Sequence, residues 1–326
     1  MSEFYANTIG VVQSWLFEHA VQPMLFSLDM IALDEMAFQA TEWLVLGMLE
    51  IALLYAMLRP LEARYPMEEW SDRRGVGVDV LYTFLQRLGF VPVAFFLLIS
   101  PAMDTLEGWL RLRGFEPYNL EDLVPLIGHE PLLAFLVYLV VLDLAEYVRH
   151  RLQHKFDWWW ALHSLHHSQR KMSFWTDSRN HLLDDVLASA WIASIAIVIG
   201  VPPGQFFLIL VATRMLENLS HANLRVSFGS IGERLIVSPH FHRLHHGIGV
   251  GHEGVHRGCN FGVLFPLWDL VFRTASFSTA VQPTGVRDQL EGRDYGEGFW
   301  AQQWFGLRRL VTRRNAVRAP QSISAA

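Results

Sequence analysis

Four apolar stretches, and the charges that bound them, constrain this chain more than any other feature. They run roughly from Trp43 to Leu58, Val80 to Met103, Pro131 to Val148 and Val186 to Thr213. About 18 uncharged residues make a confident helical crossing of a bilayer, and only the last stretch is well above that. It is long enough for a helical hairpin, with Val201-Pro202-Pro203-Gly204 as the turn. Glu50 interrupts the first stretch, Arg87 interrupts the second, and the third runs into Asp143 and Glu146. Core helices of a large soluble bundle would give similar runs, so the distribution of charge has to decide. Residues 1–42 hold six acids and no Lys or Arg, and residues 102–130 hold six acids and two Arg. The segments Arg59 to Arg74, Arg149 to Arg179 and Arg214 onward carry nearly all other cations. The positive-inside rule then gives one consistent topology. The N-terminus is outside, three spans alternate, the hairpin enters and returns, and the C-terminal half faces the cytoplasm. The expected fold is all-α, a multi-span helical membrane protein with a cytoplasmic helical cap.

Composition agrees. Of 326 residues, 52% are hydrophobic and 18% charged, against about 25% charged in soluble domains. Twelve Trp suit long stretches at a membrane interface. A net charge of −6 with no basic stripe excludes a nucleic-acid partner. The single Cys259 excludes an intramolecular disulfide and a cysteine-based zinc framework. Without a positive n-region in residues 1–42, no cleavable signal peptide is expected. Lys155 and Lys171 are the only lysines, a bias that favours a bacterial inner membrane over the endoplasmic reticulum. Pro283 to Tyr295 reads as a polar surface loop. The basic run Arg308 to Arg318 suits either anionic headgroups or solvent. Three regions follow: 1–130, with two spans and an acidic external loop; 131–275, the catalytic core; and 276–326, a cytoplasmic tail.

Thirteen of the 15 histidines lie after position 149, and most are grouped. The groups are His150-Arg-Leu-Gln-His154, His163-Ser-Leu-His166-His167 and His242-Arg-Leu-His245-His246, the last preceded by His240. His181 and His221 stand alone between them. Residues i and i+4 share one face of a helix, so two imidazoles there can converge on one metal ion. In an HxxHH triplet the first and third share that face. The middle one leans sideways and can reach or bridge to a second ion. A lone HxxxH is a weak signal, whereas two HxxHH and one HxxxH in this order predict a histidine-rich dinuclear metal site. His252 and His256 read as loop residues, and His19 and His129 fall on the far side of the membrane.

Asp143, Tyr147, His150 and His154 follow at intervals of four, three and four, on one helical stripe. A carboxylate at the end of a span is costly and usually functional, so Asp143 is expected to accept from a ligand imidazole. Pairing with a neighbouring Arg is the bland alternative. Glu146, off the stripe, is expected to face headgroups. Thr176, Arg179, His181 and Asp184 form a polar knot before the hairpin, where Asp184 could orient His181 or ligate directly. After the hairpin, Glu217 and His221 share a face, and both His181 and His221 are candidate ligands.

These residues resemble the fatty acid hydroxylase and sterol desaturase superfamily over roughly Asp143 to Phe272. Asp143, Tyr147 and His150-Arg151 are similar to its opening motif, and Trp160 precedes the second cluster as that family has it. Thr176-x-x-Arg179-x-His181-x-x-Asp184 resembles the middle motif, with Asp where Glu is common. Asn260-Phe261-Gly262 and Trp268-Asp269 resemble the closing motif, with Phe261 where Tyr is usual. The resemblance implies two iron ions held by histidines, activation of O2, attack on an unactivated C–H bond of a membrane lipid, and an external electron donor. That donor would be a redox protein or a diffusible reductant, because the chain has no flavin, haem or iron–sulfur motif. Hydroxylation and desaturation share the first hydrogen abstraction, and spacing does not separate them.

Zinc accepts the same imidazoles and could replace iron in isolated protein. A zinc-dependent membrane hydrolase would need an open position and a general base, but HExxH is missing and Glu is scarce among the clusters. A metal transporter would place its ligands at mid-membrane rather than beyond the spans.

Overall fold

The computed structural model describes residues 6–70, 72–73, 75–115, 120–252 and 257–312. His256 and the basic run beyond residue 312 lie outside them. The longer helices are α1 (Asp34–Arg64), α2 (Val76–Arg87), α3 (Phe90–Leu112), α4 (Pro131–Lys155), α5 (Asp157–His167), α6 (Leu182–Val198) and α7 (Pro203–His221). Three more complete the site region: α8 (Pro239–His245), α9 (Leu267–Val271) and α10 (Phe299–Val311). Among the described residues there is no β-strand, only isolated bridges such as Gly247 with Thr284.

The chain divides into two compact units, Met1–Leu61 with Val80–Phe115, and Glu62–Asp79 with Glu116–Ala326. Within the first, the two charges that interrupt its apolar stretches meet. Arg87 Nη1 lies 2.9 Å from Glu50 Oε1, both largely buried. Pairing lets each stretch keep a charge that alone would be costly away from water. Gly47, one turn before Glu50, permits this approach, because a Cβ there would sit 1.7 Å from the Arg87 carbonyl oxygen. Gly47→Ala is therefore expected to destabilise the protein by at least about 1–3 kcal/mol, read as a lower melting temperature in detergent. The apolar run Val80 to Met103, expected as one helix, is two. The chain turns at Leu88 and Gly89, between α2 and α3.

In the second unit, α4 lies along the hairpin of α6 and α7. Ala134, Tyr138 and Leu142 pack with Ala196 and Ile209. Tyr138 Oη donates to the Gly200 carbonyl in the hairpin turn, and Trp191 Nε1 donates to the Ala145 carbonyl. Helix α4 is 25 residues long, about 38 Å at 1.5 Å per residue. Its apolar portion ends about two turns before its C-terminus, and those turns carry His150 and His154. Among the described residues, two helices, Ile31–Arg64 counted with its leading turn and Pro131–Lys155, are long and apolar enough to cross a membrane.

Two segments differ from the sequence reading. Pro283 to Tyr295 is not a free surface loop: the Gly285 amide donates to the His246 carbonyl, and Tyr295 is buried. The region read as a tail carries α10, which packs on α5 through Arg309 Nε and the Ala161 carbonyl, 2.9 Å apart. Glu146, expected toward headgroups, pairs with Arg149 one turn along α4.

Candidate metal centre

Nine histidines, carried by four helices and the residue that follows the last of them, meet in two adjoining groups. His150, His154, His163, His167 and His245 form one, and His166, His221, His242 and His246 form the other. In each group the ligand-competent nitrogens all lie within 4.8 Å of one another, and every ring is buried. Each HxxHH splits as helical geometry requires. On α5, His163 and His167 enter the five-histidine group while His166 turns to the other. On α8 and the residue after it, His242 and His246 enter the four-histidine group while His245 crosses over. The two triplets thus exchange their middle members. Helix α8 is positioned by Ser238, whose Oγ accepts from the Phe241 amide at 3.0 Å as an N-cap, with Pro239 in the first turn.

The outer nitrogens fix which way the rings point. Nδ1 of His150 meets the Phe261 carbonyl at 2.9 Å, Nδ1 of His154 the Arg257 carbonyl at 3.2 Å, and Nδ1 of His245 the Cys259 carbonyl at 2.7 Å. A carbonyl only accepts, so each Nδ1 carries the proton and each Nε2 lone pair faces inward. Nδ1 of His163 lies 3.1 Å from Asp184 Oδ2, and Nδ1 of His221 meets the Glu217 carbonyl at 2.7 Å. The inner nitrogens then approach one another. His154 and His245 Nε2 each lie 3.1 Å from His167 Nε2. His242 Nε2 lies 2.9 Å from His221 Nε2 and 3.1 Å from His246 Nε2. Nε2 of His150 and of His163 is buried with no hydrogen-bond partner.

Those separations test whether a metal fits. Two nitrogens each about 2.1 Å from one ion and at right angles around it would be about 3.0 Å apart. Where both nitrogens present lone pairs at that distance they repel, unless a proton on one of them or a metal ion lies between them. Burial and the neighbouring imidazoles hold His166, His167, His242 and His246 well below the usual histidine pKa, and burial takes His245 down to about 3. All five are therefore neutral near pH 7, the form that ligates metal. The donor set fits two metal ions, five imidazoles at one and four at the other.

Residues around the rings brace them. Asp184 accepts from three donors: His163 Nδ1, Gln153 Nε2 at 2.8 Å and Trp159 Nε1 at 2.7 Å. It orients His163, not His181. Asp143 does not reach an imidazole. It accepts from the Leu264 and Phe265 amides and from Trp268 Nε1 at 2.9 Å, and so clamps the closing segment onto α4. Tyr147 Oη pairs with Thr274 Oγ1 at 3.0 Å, and its ring stacks on Phe272. Asn260 has φ +57°, and its side chain ties the Phe241 and Ser276 carbonyls to the Ser276 amide. All four are positioning residues in this geometry. Phe261, fully buried, presses its ring edge-on against His150, His154 and His245 while its carbonyl holds His150.

His181 stands outside both groups. Its Nδ1 accepts from the Leu183 amide, capping α6, and its Nε2 donates to the Gln303 carbonyl at 2.9 Å. His181→Ala is expected to keep the full metal content and to cost about 1 kcal/mol as a lost cap, checked by metal analysis beside a thermal melt. His240 turns away to the Ser278 carbonyl. His252 lies closer to the centre than a loop residue would, stacked on Trp160 at 3.6 Å beside His154. Sequence reasoning also passed over Asp79. It is buried and receives Arg179 Nη1 at 2.9 Å, while Arg179 also donates to Ser168 and to the Leu165 carbonyl behind His166 and His167. An acid on the first turn of an apolar run was the available signal. The carbonyl braces have none, since every residue offers one.

Comparison with known proteins agrees with this geometry. Residues 135–274 match the family model for fatty acid hydroxylase. Over 260 residues the chain is 28% identical to an ornithine lipid hydroxylase, OlsE of Rhizobium tropici, covering 79% of this chain and 72% of that protein. Over 132 residues it is 28% identical to an alkylglycerol monooxygenase of Caenorhabditis elegans, covering 40% of this chain and 25% of that protein. No solved structure matches the chain.

Proposed function

We propose that this protein, whose residues 135–274 match the fatty acid hydroxylase family model, is a membrane-bound di-iron oxygenase that hydroxylates a C–H bond of a lipid. One observation carries the reading. Nine buried imidazoles bring ring nitrogens together in two adjoining groups, and both groups consist of histidine alone among the described residues. A hydrolytic zinc site would place a carboxylate base beside the ion. Imidazole ligands leave each ion most of its positive charge, and the bound pair would supply activation of O2 and hydrogen abstraction. In balance, the lipid C–H and O2 with two electrons and two protons give the alcohol and water. The electrons come from an external redox protein or diffusible reductant.

The chain's own residues do the rest. Phe261 keeps an apolar wall against three ligand rings, which excludes water from that side and leaves the rings no freedom to rotate. The carbonyls of Arg257, Cys259 and Phe261 hold protons on Nδ1 of His154, His245 and His150 and so keep the Nε2 of those three rings available. Asp184 does the same for His163. The site sits where α4 outruns its apolar portion and where the hairpin begins and ends. On α4, Leu132, Leu136 and Val140 are exposed at intervals of four, an apolar stripe suited to acyl chains. A multi-span topology with the site at the cytoplasmic face of a bacterial inner membrane fits these features. The two relatives, named as a hydroxylase and a monooxygenase, favour hydroxylation over desaturation and a lipid that carries a polar head.

Lipid extracts from cells expressing the wild type or His166→Ala test the proposal. Mass spectrometry should show a lipid class gaining one oxygen atom with the wild type only. Loss of two hydrogens instead would reassign it as a desaturase, and identical extracts would refute it.

A further inference from the structure

Helix α10 is absorbed by none of the chemistry above, yet it is built with two unlike faces. Phe299, Gln302, Gln303 and Gly306 are buried. Gln303 accepts from the Leu182 amide with Oε1 and donates to the Asn180 carbonyl with Nε2, so α10 is fastened to the first turn of α6. Gly306 lies so close that a Cβ would stand 2.2 Å from the His181 ring. This helix is a fixed platform. Its other face carries Trp300, Trp304, Leu307 and Val311 at intervals of four, three and four, exposed at 79%, 64%, 41% and 85%. Trp residues this open are unusual, and a row of apolar residues this open marks a surface that something covers.

What covers it follows from its neighbours. The stripe continues onto α6, the first helix of the apolar hairpin. Leu182, Leu183 and Val186 of α6 and Trp300, Trp304 and Leu307 of α10 line one cleft of about 490 Å³. Charge points the same way. No acid follows Glu297 in the sequence, while Arg308, Arg313, Arg314 and Arg318 do. An amphipathic helix with Trp and Leu on one side and Arg beside them lies in the plane of a bilayer interface, Trp at headgroup depth. Arginines there attract anionic headgroups.

We propose that α10 is an interfacial helix, with its Trp300, Trp304, Leu307 and Val311 face sunk among membrane lipids and their acyl chains filling the cleft against α6. The proposal rests on the membrane reading above. It makes α10 the element that fixes how deep the histidine centre stands relative to the bilayer surface, through α5, on which α10 packs.

The test uses the full chain in nanodiscs of phosphatidylcholine with phosphatidylglycerol, with Cys259→Ala removing the native thiol. Spin labels are placed one at a time by Trp300→Cys, Trp304→Cys, Leu290→Cys and Leu136→Cys. Leu290 is an exposed reference at the end of the short helix Arg287–Leu290, and Leu136 is a reference on the outer stripe of α4. The result expected at 300 and 304 is collision with dissolved O2 exceeding collision with a water-soluble nickel chelate, as at 136 and opposite to 290. Water-like collision at 300 and 304 with lipid-like collision at 136 overturns the proposal and leaves the membrane reading standing. Water-like collision at all four positions overturns both. Dipolar broadening between labels at 304 marks a second copy as the occupant and also overturns it. Metal content, measured on each labelled protein, should stay at the unlabelled level and shows that the variants have folded.

Discussion

His245→Ala is expected to abolish lipid hydroxylation and to drop the metal content from about two ions per chain to about one. The residue comes from the late HxxHH but serves the five-histidine group, with its Nε2 3.1 Å from His167 Nε2 and its Nδ1 on the Cys259 carbonyl. Its loss opens one centre directly and leaves a buried carbonyl without its donor. Even residues that only orient a ligand typically cost 10–100-fold in metal affinity, roughly 1.4–2.7 kcal/mol, so removing a ligand should cost at least that much. His246→Ala, the next residue, should spare the five-histidine centre and empty the other. Metal analysis of the pair, together with O2 consumption, checks this. Full metal content in either variant would mean that the two groups are not two sites.

Asp184→Ala should be nearly as damaging without touching a ligand. It leaves His163 Nδ1, Gln153 Nε2 and Trp159 Nε1 facing a cavity, each a buried donor with its acceptor removed. An unsatisfied buried donor costs about 1–3 kcal/mol, so the expected loss is several kcal/mol of stability together with weaker metal retention. Asp184→Asn separates charge from shape. Its one acceptor oxygen can serve some of the three donors, so stability should recover in part, while metal affinity stays about 10–100-fold low because His163 loses its carboxylate. The measurements are a chemical or thermal melt and a competition titration with a chelator. Equal behaviour of the two variants would remove the carboxylate from the account.

These two residues also show what could be read from the sequence. The pattern HxxHH by itself decides which imidazoles share a helical face, because that geometry is local. His163 with His167, and His242 with His246, follow from spacing alone. Carboxylate partners do not. Asp143 and Asp184 each looked suited to orienting a histidine, and only Asp184 lies against one. What separates them is where the segment 260–269 folds back, and that is decided by contacts more than a hundred residues apart. His181 misled for a related reason. A histidine before an apolar run can ligate or can cap the run, and here one ring nitrogen caps it while the other is held by the Gln303 carbonyl. Glu50 and Arg87 each counted against a span when read singly, and their pairing removes much of that objection. Helix α10 carried the weakest signal, since a short amphipathic stretch ahead of a basic run reads equally well as a solvated tail.

The most direct test of the whole account is the origin of the oxygen. Cells or membranes carrying the protein are supplied with isotopically labelled O2 in ordinary water, and the modified lipid is isolated. One labelled oxygen atom per product, absent from the His245→Ala control, is the result the account predicts. An unlabelled hydroxyl, or label entering from isotopic water, would mean hydrolytic or hydration chemistry and would contradict it.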